Sequence, residues 1–127
     1  MPFFALLIGC YLLTVSVETA VLLIGLSRLH SWKRRLFAGA WLTACTYPIV
    51  WLVLPGLFPE RWMYLVVAET FAPVAECVLF WLAFLPRETW NRRVPVRDLT
   101  VVVLANLASF AVGEVLIRVR PEWFELK

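Results

Sequence analysis

A chain of 127 residues that is 62% hydrophobic, with a mean hydropathy of +0.81, is too apolar for an ordinary water-soluble domain, which averages about 45–50% apolar residues. The net charge of +3 invites a nucleic-acid partner, but the basic side chains are gathered in short connections between apolar runs. That pattern reports membrane topology and contact with the lipid bilayer, not a nucleic acid.

The first apolar run, Pro2–Leu26, contains a single charge, Glu18. It lacks the basic leader and small-x-small cleavage site of a secretory signal and is too long for one, so it reads as a retained helix. Tyr11, Thr14, Glu18 and Gly25 follow i, i+3/i+4 and i+7 steps along it, which puts them on one face. The second run, Leu36–Pro59, is free of charge and carries Thr43, Thr46 and Tyr47 on one face, with Pro48 just beyond. The third, Trp62–Leu85, contains Glu69 and Glu76 one heptad apart and Pro73 between them. Two central glutamates cost roughly 5–7 kcal/mol on an insertion scale, against about 3–7 returned by eleven Leu, Val and Phe residues. That helix is marginal alone and needs its partners. The fourth run, Leu99–Ile117, holds Glu114 and a small, polar stripe of Asn106, Ser109 and Gly113, which suits close helix approach.

Each run is 19–25 residues long, against about 20 needed to span a bilayer. The expected fold is all-α: a polytopic membrane protein forming one domain over 1–127, an antiparallel bundle of four transmembrane helices at about 3–27, 36–55, 62–85 and 98–118. Pro55–Arg61 reads as a tight turn and Pro86–Asp98 as a longer surface loop. Trp32, Trp62, Trp90 and Trp123 fall at helix ends, where indoles prefer the headgroup region. Loop 1 carries Arg28, Lys33, Arg34 and Arg35, and loop 3 carries Arg87, Arg92, Arg93 and Arg97. Loop 2 has only Arg61, and the tail has Arg118, Arg120 and Lys127. The positive-inside rule therefore places loops 1 and 3 in the cytoplasm and both termini outside.

Hydrocarbon is the worst solvent for a carboxylate, so four glutamates in apolar runs point to a polar interior. Counting residues from the predicted ends puts Glu18, Glu76, Asn106 and Thr46 near one midplane level. Glu69 and Glu114 fall about 10 Å further out, as an outer pair. Prolines 48 and 73 each free a backbone carbonyl about four residues earlier, a further source of neutral ligands. A weak repeat runs through these positions: Glu18 matches Glu76, and Thr43-x-x-Thr46-Tyr47 matches Asn106-x-x-Ser109-Phe110, related by a twofold axis along the membrane normal. Cys10, Cys45 and Cys77 fall in three different helices and His30 in a loop, so the cysteines read as small buried hydrophobes.

Glu18-Thr19, Thr46-x-Pro48 followed by Trp51, Glu69 with Glu76, and Leu104-Ala105-Asn106-x-x-Ser109-Phe110 together resemble a family of small four-helix bacterial integral membrane proteins with intramembrane glutamates. Thr43 stands where that family's pattern has asparagine. The resemblance implies a multi-pass protein of the bacterial cytoplasmic (inner) membrane, and no activity.

Two functions fit these residues. The first binds or translocates protons or small cations. Glu18 and Glu76 then share a proton or a cation, because two close carboxylates in low dielectric cannot both ionise. Asn106, Thr46, Ser109 and Thr43 serve as neutral ligands, with Glu69 and Glu114 as an outer step. Four helices are few for alternating access, so a homo-oligomer is implied. The second is a non-enzymatic structural or assembly subunit of a larger membrane complex. An intramembrane glutamate hydrolase is a remote third, since no nucleophile–base pair is present. No cofactor is expected, and whether a metal binds is open.

Overall fold

The computed structural model describes residues 2–90 and 93–125, so Arg92 and Lys127, counted among the basic residues above, lie outside the described residues. The structure is all-helical, with four helices of 23, 26, 24 and 27 residues long and apolar enough to cross a membrane. Helix α1 spans Phe3–Gly25 and α2 Trp32–Pro48. The second span continues through a π-helical stretch, Ile49–Val53, into a short α3, Leu54–Leu57. Helix α4 covers Arg61–Phe84 and α5 Arg93–Val119.

The helices form a ring in which α1 packs on α2 and α5, and α4 packs on α5 and α2. Short connections make ring neighbours antiparallel. The outer faces are apolar and exposed, as at Ile24, 85% accessible, and Leu82, 70%. Hydrophobic side chains with no protein partner on a helix this long belong against lipid.

The span boundaries differ from the sequence expectation where polar residues disguise a helix. The fourth helix starts at Arg93, not near residue 98, because Pro95 falls in its first turn, where a missing N–H is harmless. The second starts at Trp32, capped by the Ser31 hydroxyl accepting from the Arg34 N–H at 3.3 Å. Its other end runs through Pro55-Gly56 to Leu57, leaving only residues 58–60 as the turn.

Two close helix approaches set the packing. A Cβ at Gly25 would stand 2.8 Å from Val101 on α5, and one at Gly39 would collide with Thr19 on α1. Gly113 was expected to mark such an approach, yet a Cβ there meets nothing within 4 Å. Trp90, expected among headgroups, is half-buried against Trp81 at 5.3 Å and donates its indole N–H to the Leu85 carbonyl. The three cysteines are free thiols and only half-buried.

Candidate functional site

The polar interior is organised by two carboxylates. Glu18 is 4% exposed and Glu76 is 2%. Glu18 accepts from the Thr43 hydroxyl at 2.6 Å and the Ser109 hydroxyl at 2.9 Å. Glu76 accepts from the Thr46 hydroxyl at 2.8 Å and the Asn106 amide at 2.6 Å. Thr43 and Thr46 lie one turn apart on α2, as do Asn106 and Ser109 on α5, so each carboxylate bridges the two helices that flank it.

The four bonds obey the twofold relation of the sequence repeat. Exchanging α1 with α4 and α2 with α5 converts Glu18–Thr43 into Glu76–Asn106, and Glu18–Ser109 into Glu76–Thr46. Every ligand to the pair is neutral. Hydrogen bonds from neutral donors stabilise a carboxylate but leave its charge in place.

A cavity of about 520 Å³ runs from the end of the bundle holding Phe3, Pro55 and Phe124 down to Glu18 and Glu76. Gly113 lines it, as do Glu69 and Glu114, the expected outer pair. The Glu114 carboxylate accepts from the Arg61 guanidinium through both oxygens, at 3.0 and 3.2 Å. Arg61 is the first residue of α4, and in the sequence it reads only as a topology marker. Both partners are partly exposed, so the pair contributes at most about 1 kcal/mol.

On the opposite side of the glutamates the interior is closed. Leu22 and Leu26 of α1, Leu42 of α2, Phe80 and Phe84 of α4 and Val102 of α5 form one buried cluster. This apolar plug separates the carboxylates from the end that carries loops 1 and 3.

Beyond the plug lies a second polar group that the sequence did not reveal. Asp98 is fully buried and accepts from the Ser27 N–H at 2.7 Å and the Ser27 hydroxyl at 2.9 Å, with His30 Nε2 at 2.9 Å. Arg35 donates to the carbonyls of Leu23, Ser27 and His30, satisfying the last turn of α1 and the turn that follows. Asp98 borders Arg97 in sequence and looked like a solvated loop acid. The spacing Ser27-x-x-His30, at the foot of a helix without a glycine cap, was the available signal.

Among the described residues no three His, Cys, Asp or Glu side chains converge closely enough to hold a metal ion. The acids are spread around a volume. Compared with known protein families, curated proteins and solved structures, the chain matches none. Fold and site define a multi-pass membrane protein of four helices with buried glutamates.

Proposed function

We propose that this protein binds a proton or small monovalent cation at the Glu18–Glu76 pair, reached through the cavity, and passes it across the membrane when the plug opens. One observation carries the reading. Two carboxylates sit deep inside a bilayer-spanning bundle with four neutral donors and no cationic partner among the described residues. Their charge has to be balanced by something that comes from solution, because an uncompensated pair is prohibitively costly in low dielectric.

The cavity supports access from one end, and the plug supports closure at the other, so the arrangement corresponds to one of the two states that alternating access needs. The basic loops lie beyond the plug, which supports a cavity facing outward in a bacterial inner membrane. Four helices are few for such a cycle, and a second copy of the chain completes the proposal.

The test uses proteoliposomes loaded with a pH-sensitive dye. The native chain should dissipate an imposed proton or Na⁺ gradient about tenfold faster than Glu76→Gln, since glutamine keeps the shape but cannot ionise. Equal rates for native protein, Glu76→Gln and empty liposomes, across protons, Na⁺ and K⁺, would favour a structural or assembly subunit.

A further inference from the structure

The cavity is far larger than a proton or an alkali ion needs. At about 520 Å³ it equals the volume of more than ten waters at roughly 30 Å³ each, and it falls within the range of drug-sized ligand sites.

Its walls are aromatic. Tyr47, Trp51, Tyr64 and Phe110 all line it. Tyr47 stacks on Trp51 at 5.6 Å, and its hydroxyl donates to the Leu7 carbonyl at 2.7 Å. The Tyr64 hydroxyl donates to the Val50 carbonyl at 3.0 Å. With both hydroxyls tied to backbone, the rings are held in place. The π-helical stretch contributes too, since its consecutive residues Val50 and Trp51 both line the cavity.

Its ionisable lining is mostly acidic. Glu18, Glu69, Glu76 and Glu114 line it against one base, Arg61, and Arg61 is already paired with Glu114. Fixed aromatic walls over an acidic floor are the chemistry that recognises a cation with an apolar body, by ring quadrupole and by charge. Gly113 adds the room, since its Cα faces open space.

We propose that this cavity is a binding site for a monovalent organic cation with an apolar body, an ammonium or phosphonium whose charge is met by Glu18 and Glu76 and whose body lies among Tyr47, Trp51, Tyr64 and Phe110. The inference rests on the reading of the glutamate pair as a cation site and names the ligand class that fits above it.

The probe is radiolabelled tetraphenylphosphonium, measured by equilibrium binding to the purified full-length chain in detergent. Native protein should bind it saturably, with benzyltrimethylammonium competing. Glu76→Gln should weaken binding at least about thirtyfold, the scale of removing one partner of a buried charge interaction. Trp51→Leu should weaken it roughly threefold to thirtyfold. Gly113→Phe, which fills the cavity from a position where a side chain meets nothing, should abolish it, and Gly113→Leu serves if the phenylalanine variant does not give a monodisperse protein. Proton uptake after an acid jump is measured in parallel on native protein and Glu76→Gln. Glu76-dependent proton uptake without saturable phosphonium binding overturns this inference and leaves the glutamate reading standing. Absence of both removes both. Phosphonium binding that is the same in native, Glu76→Gln and Gly113→Leu protein also overturns it.

Discussion

Asp98 shows how much one side chain can hold in a protein with so few polar groups. Its carboxylate satisfies the Ser27 N–H, the Ser27 hydroxyl and His30 Nε2, tying the start of α5 to the exit of α1. Asp98→Ala leaves those groups buried without an acceptor and should destabilise the bundle by about 3–5 kcal/mol. Asp98→Asn keeps a carbonyl oxygen for the Ser27 N–H and should lose only about 1–3 kcal/mol. Chemical denaturation of both variants in detergent, followed by near-UV circular dichroism, should rank them in that order. Glu18 and Glu76 were legible in the sequence because a carboxylate inside an apolar run has few other readings. Asp98 was not, because an acid beside arginines at a helix boundary normally faces water.

At the scale of elements, three glycines with similar sequence surroundings do different work. Gly39 lets α2 lie directly on Thr19 of α1, and Gly25 lets α1 approach Val101. Gly113 faces the cavity instead. Gly39→Ala should therefore cost about 1–3 kcal/mol through overpacking, while Gly113→Ala should stabilise α5 by about 0.5–1 kcal/mol, the usual gain when a helical glycine acquires a methyl group without a clash. Opposite shifts in melting temperature check this directly, and a loss of stability in both would mean that the cavity wall is closed at Gly113. Helix number and order followed from apolar run length. The cavity did not, because it is defined by where side chains fail to meet, and that depends on how α5 is rotated against its neighbours. The early start of α5 was hidden by Arg93, Pro95, Arg97 and Asp98, which together look like a loop.

Across the whole molecule the layers succeed one another along the bundle axis: cavity, carboxylate pair, apolar plug, then the Asp98 cluster under the basic loops. The basic bias of those loops predicts an outward-facing cavity, and single cysteines at Ser31 and Gly56, in a chain whose own three cysteines are replaced, should separate the two faces. On intact cells an impermeant thiol reagent should label position 56 and not 31, and the reverse result inverts the assignment. The repeat also acts at this scale, since it delivers two glutamates to one level with matching neutral ligands from α2 and α5. The plug has an electrical consequence as well. In the proposed function a water-filled cavity carries the potential of its own side down to the glutamates, and the transmembrane field would then fall mainly across Leu22, Leu42, Phe80 and Val102. Occupying the site should then be nearly insensitive to voltage. Moving one charge onward through the plug should feel almost the whole potential, about 2.3 kcal/mol per 100 mV.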